Sequence, residues 1–111
     1  MTVMTLDATT SLLRGIRAAF RPFDGMTVER IASTAWVSAT FSGARHELLL
    51  RLAGEDAETA ADAFLDNLEE KDFRLRGHIL ADIKLRVQRR RRELCGMVVN
   101  LELEALTVED S

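Results

Sequence analysis

The chain has 111 residues, 47% hydrophobic and 30% charged, with one Pro, six Gly, one Cys, no Tyr and a formal net charge of −3. That length suits one compact domain, and the composition excludes a disordered chain, a collagen-like repeat and a disulfide scaffold. No apolar stretch approaches the ~20 residues that span a bilayer, and the opening MTVMTLDATT has neither a basic nor an apolar leader region. A lone cysteine without an export signal points to a reducing cytoplasm.

Segment 11–23 places Leu12, Leu13, Ile16, Ala19, Phe20 and Phe23 at spacings of three and four, with Arg14, Arg17 and Arg21 opposite. That stripe predicts an amphipathic helix, capped by Thr9, Thr10 or Ser11 and stopped by Pro22. Residues 27–41, TVERIASTAWVSATF, are rich in β-formers, and the run ARHELLLRL puts His46, Leu48, Leu50 and Leu52 on one face. The two runs predict a hairpin turning at Ser42-Gly43, with Leu48 opposite Val37 and Leu50 opposite Ala35. Sliding the loop by one residue leaves the same faces inside, so sidedness is firmer than register. After Gly54, Asp56 is a good N-cap for a second helix over about 57–71, whose stripe is Ala57, Ala60, Ala61, Phe64, Leu65 and Leu68.

Beyond Gly77, Ile79, Ala81, Ile83, Leu85 and Val87 alternate with polar partners, as do Cys95, Met97, Val99, Leu101, Leu103 and Ala105 further on. Keeping both apolar sets inside pairs Val87 with Cys95, Ile83 with Val99 and Ile79 with Leu103. Arg90, Arg91 and Arg92 would then form the hairpin tip, with Arg89 opposite Glu93. The order α-β-β-α-β-β predicts a single-domain α+β two-layer sandwich over 1–111, a four-stranded, largely antiparallel sheet with two helices on one face. It resembles a ferredoxin-like fold whose first strand has moved to the end, which implies strand order 3-4-2-1 with strands 2 and 4 parallel in the centre. A plain meander with the same faces is the alternative.

Charge is segregated along this framework. Residues 1–54 sum to +2, 55–72 to −7, 73–92 to +7 and 93–111 to −5. Opposite blocks of this size favour self-association over simple polyanion binding. The densest basic tract, Lys84, Arg86, Arg89, Arg90, Arg91 and Arg92, is a candidate for an acidic or phosphate-bearing partner, nucleic acid included. No aromatic interleaves with it to stack bases.

Familiar catalytic and cofactor motifs are absent, and one Cys with two His falls short of an all-protein zinc set, so neither cofactor nor metal is expected. The predicted register sets Glu104 opposite His78 and Asn100 opposite Asp82, which makes His78, Asp82 and Glu104 the candidate acid–base cluster. An exposed His–carboxylate pair explains it more simply. His46 falls on an apolar face, as a partly buried ring bonded to backbone would, and Cys95 follows the inward parity of its strand. Two helices cover one sheet face, so the other exposes Trp36, Leu49, Leu80, Leu94 and Val98, a patch suited to a partner. The sequence therefore predicts a small cytoplasmic, non-enzymatic interaction module, homodimeric through its open face and without membrane attachment. A small-ligand binder or enzyme of dimeric ferredoxin-like type and a nucleic-acid accessory protein are the alternatives.

Overall fold

The computed structural model describes residues 3–71, 73, 75, 77–94 and 96–109, with side chains from Ala8 onward. Its elements are α1 (Val3–Phe20), β1 (Met26–Val37), β2 (Ser42–Ala53), α2 (Ala57–Leu65), a 3-10 turn (Leu68–Glu70), β3 (His78–Glu93) and β4 (Gly96–Glu109). The sheet order is β1-β2-β4-β3, and all three neighbouring pairs are antiparallel. Both helices pack on one face, giving the two-layer α+β sandwich. The strand order is the one expected, but the central pair corrects the parallel arrangement. The crossover through α2 returns the chain so that β3 runs parallel to β2. The hairpin partner β4, inserted between them, must then oppose both.

The second helix ends at Leu65 rather than near 71, because Asp66 is extended and Asn67 adopts the left-handed conformation, φ 56° and ψ 35°. Asn tolerates that region better than most residues. Asp56 holds the N-cap position without a side-chain capping bond. The first hairpin turns at Ser38–Phe41, not at Ser42-Gly43. There the Ser38 hydroxyl accepts the backbone N–H groups of Phe41 at 3.0 Å and Thr40 at 3.4 Å. This local side-chain closure is a turn signal of its own. Leu48 consequently faces Ile31, and Val37 faces Ser42. Sidedness survives, because the even residues of β2 still point at the helices.

The second hairpin departs further. Its strands pair as far as Glu93 opposite Gly96, so Arg89–Arg92 lie within β3 instead of at a turn. Cys95 itself falls outside the described residues. β3 has 16 residues against 14 in β4, and the two extra residues enter as bulges between Leu80/Asp82 and Leu85/Val87. Each bulge switches the face of every residue beyond it. The inward positions of β3 are therefore His78, Leu80, Ile83, Leu85, Gln88 and Arg90, facing the same side as Val99, Leu101, Leu103, Ala105 and Thr107 of β4. Ile79 and Val87, expected in the core, are 53% and 37% exposed.

The core joins Leu12, Ile16 and Phe20 of α1 to Phe64 of α2, Leu48, Leu50 and Leu52 of β2, and Val99, Leu101 and Leu103 of β4. Phe20 and Phe64 stack with ring centroids 4.3 Å apart. The long strands stretch the molecule to 50 × 21 × 20 Å.

Candidate functional site

Three arrangements could carry function. The first lies between α1 and the sheet. His46 is fully buried on β2, opposite Ser33 of β1 and Ala105 of β4. Thr107 donates to the Ala44 carbonyl at 3.3 Å, so its oxygen accepts the N–H of His46 Nε2 at 3.0 Å. Nδ1 is then the acceptor, and the Ser33 hydroxyl donates to it at 2.7 Å while accepting from Thr9 at 2.9 Å. One neutral tautomer thus satisfies the whole chain from α1 through β1, β2 and β4. Burial, and secondarily the neighbouring His78, push the His46 pKa below its ordinary value. A serine beside an imidazole has the composition of a nucleophile and base. Here the ring is shut from solvent, and its far nitrogen is held by a hydroxyl instead of a carboxylate. The arrangement cross-links four elements.

The second is the open sheet face, whose rows follow from the register. Trp36, Gly43, Val108 and Ile79 form one row across β1, β2, β4 and β3. Thr34, Arg45, Leu106 and Asp82 form the next, and then Ala32, Glu47, Glu104 and Lys84. The end row is apolar, and Val37 and Phe41 at the adjoining hairpin are 80% and 58% exposed. The Trp36 ring lies against Gly43, where an added Cβ would stand 2.9 Å from Cζ2. An aromatic laid over a strand glycine restores cover that the missing side chain leaves open. The indole Nε1 is buried and bonds to no partner among the described residues.

Beyond that row the face carries ion pairs among scattered apolar residues. Glu104 is ringed by Arg86 at 3.2 Å, Lys84 at 3.6 Å and Arg45 at 3.9 Å. An Arg51–Glu93 pair at 3.6 Å reaches over β4 at the level of Val98, which is fully buried. Of the patch expected from sequence, Trp36 and Leu49 stand on the open face and are half-buried, Leu80 points to the helices, and Leu94 is fully exposed at the far hairpin tip. The five residues do not meet. The reset parity of β3 turns Leu80 away, and the others are spread along the length of the sheet.

The third is the arginine tract. Arg90 turns inward to α2, 2.7 Å from Asp62 and 3.6 Å from Glu58, and these acids raise its pKa, the Asp62 hydrogen bond most. Arg91 bonds Glu93 and the Asn100 amide oxygen. Arg89 and Arg92 are exposed and make no ion pair among the described residues. Arg89, Arg91 and Arg30 line a shallow groove of about 310 Å³ with Glu29, Glu102 and Leu49.

The expected acid–base cluster is dispersed. His78 is buried on the helix side opposite Glu109, whereas Asp82 and Glu104 lie on the open face opposite Leu106 and Lys84. Sequence reasoning missed Ser33, Thr9 and Thr107. Thr107 continues the odd-numbered inward set of β4 and was within reach of that signal. Among the described residues, no three His, Cys, Asp or Glu side chains gather to hold a metal ion, and no helix is long and apolar enough to cross a membrane.

Neither a family model nor a curated protein matches the sequence. In three dimensions the chain is similar to one in a solved structure described as the virion of a native gene transfer agent particle. The TM-score is 0.70 at 18% identity, covering 91% of this chain and 97% of that one. The likeness is one of fold.

Proposed function

We propose that the protein is a non-enzymatic structural subunit that self-associates through the apolar end of its open sheet face. The observation that carries this reading is the row of Trp36, Val108 and Ile79, with exposed Phe41 at the adjoining hairpin, at one end of a face that carries ion pairs further along. Apolar surface gathered in one place with a tryptophan at its edge is the composition of a contact surface. The similar chain comes from the virion of a native gene transfer agent particle, and that likeness of fold supports an assembling role. The proposed location is the cytoplasm, on the cysteine usage.

The test is light scattering coupled to gel filtration on the wild type and on Trp36→Glu and Ile79→Glu. A wild-type dimer or larger assembly, with folded but smaller species in both variants at about 500 mM salt, supports the reading. A wild type that remains monomeric at high micromolar concentration removes it.

A second reading rests on the groove of Arg30, Arg89 and Arg91, which suits an acidic or phosphate-bearing partner. Salt-sensitive heparin retention that Arg89→Ser and Arg91→Ser abolish would favour it.

A further inference from the structure

The helix layer carries a charge pattern that neither the core nor the open face uses. Arg14 and Arg17 on α1 and Arg21 just past its end follow one another at helical spacing, all exposed, over roughly 10 Å. None of them forms an ion pair among the described residues. On α2 and the turn after it, Asp62, Asp66, Glu69 and Glu70 are exposed, and among the described residues only Asp62 of these has an ion-pair partner, Arg90. The two stripes sit at the same height. Phe20, beside Arg21, stacks on Phe64, which lies between Asp62 and Asp66. Gly15, beside Arg14, abuts Phe73, which follows Glu69 and Glu70.

We propose that the helix layer is a second self-association surface, on which two copies pair about a two-fold axis running along the helices. Such an axis exchanges left and right while preserving height. It therefore lays α1 of one copy on α2 of the other, and the same contact recurs on the other side of the axis. Arg21 meets the acids at Asp62 and Asp66, and Arg14 those at Glu69 and Glu70. The occupant is a second copy because adjacent stripes of opposite sign are complementary only to their own exchanged image. A polyanion reaching the arginines would meet the acids beside them. Exposed charge pairs steer and orient more than they bind, so this contact is weak and salt-sensitive. It rests on the reading of the chain as a self-associating subunit. With the open face it gives each copy two contacts on opposite sides, which extends a dimer into a stack.

The decisive experiment is a charge exchange read by sedimentation velocity, in about 20 mM and about 500 mM salt, on either side of effective screening. Two variants reverse one stripe each: Arg14→Glu, Arg17→Glu and Arg21→Glu in one, Asp66→Lys, Glu69→Lys and Glu70→Lys in the other. Circular dichroism and melting confirm that both fold. All are also made with Trp36→Glu, which isolates the helix layer. In that background the parent should associate at low salt and weaken about tenfold or more at high salt. Each reversed variant alone should be monomeric, and their equimolar mixture should associate again. Association that Trp36→Glu abolishes and stripe reversal leaves untouched overturns the helix-layer contact while the open-face reading stands. Association that stripe reversal abolishes and Trp36→Glu leaves untouched sinks the open-face reading and supports this one. Reversed variants that fail to recombine in the mixture also overturn the two-fold pairing.

Discussion

Ser33 donates a 2.7 Å hydrogen bond to Nδ1 of His46, and that contact fixes the ring as a neutral acceptor. Protonating Nδ1 would bury a charge on a ring closed to solvent and would turn the Ser33 hydroxyl from donor to acceptor. Burial already lowers the His46 pKa, and a charge on His78 lowers it further. The unfolded chain, with its histidine near the ordinary value of 6.5, then binds more protons as pH falls. Stability from this group is present above about pH 6.5 and is lost as pH drops through and below it. Denaturant midpoints between pH 7.5 and pH 5 should fall in the wild type, and His46→Gln should flatten that dependence at some cost in stability at neutral pH, about 1–3 kcal/mol. An equal acid sensitivity in His46→Gln would place the titrating group elsewhere.

The bulges of β3 make a sharper claim about packing. Ile83 is buried and Val87 is 37% exposed, although the two stand four residues apart on what reads as one alternating run. Ile83→Ala should cost about 2–5 kcal/mol in chemical denaturation, as buried aliphatic truncations do. Val87→Ala should stay within about 0.5 kcal/mol. Similar losses at both sites would mean that β3 runs without its second bulge.

What could be read from the sequence depended on parity. In β2 and β4 the period of two runs unbroken from Ala44 to Leu52 and from Val99 to Thr107, so their inward faces, the helix stripes and the two-layer fold were legible. Register was not. A loop at Ser42-Gly43 would have set His46 opposite Ala39, whereas the turn closed by the Ser38 hydroxyl sets it opposite Ser33 and creates the polar chain. In β3, alternation from Ile79 to Val87 continues on paper straight through both bulges. No Gly or Pro marks either one, and Leu94-Cys95 lacks the usual turn residues. The expected acid–base cluster and the place of Leu80 in the apolar patch both depend on unbroken parity, and the bulges remove it.

The same shift changes what the arginines do. Arg90 bonds Asp62 and Glu58, while Arg89 and Arg92 pair with no acid among the described residues. Arg90→Ala should lower stability by about 1 kcal/mol or less, with the loss shrinking at high salt, because Asp62 is largely exposed. Arg89→Ala and Arg92→Ala should leave the melting temperature unchanged. Their charge on an edge strand instead discourages uncontrolled strand pairing, so the double variant should aggregate more readily on heating. Equal destabilisation by all three would show that the tract acts through its summed charge and not through the α2 contact.

Gly43 links stability to the proposed contact surface. An added Cβ there would strike the backbone carbonyl of Thr107 and stand 2.9 Å from Trp36 Cζ2. The carbonyl yields least, since it belongs to the central strand β4, and the half-buried indole must shift to make room. Gly43→Ala should therefore cost about 1–3 kcal/mol, as overpacking does. It should also lift the indole off the sheet, shifting Trp36 emission to the red and exposing its Nε1 to exchange. In the associated state the displaced ring would weaken assembly beyond what lost stability explains, since a folded Gly43→Ala population should still sediment as smaller species. A variant as stable as wild type, with unchanged emission, would mean that the ring does not rest on Gly43, and the apolar row would lose its anchor.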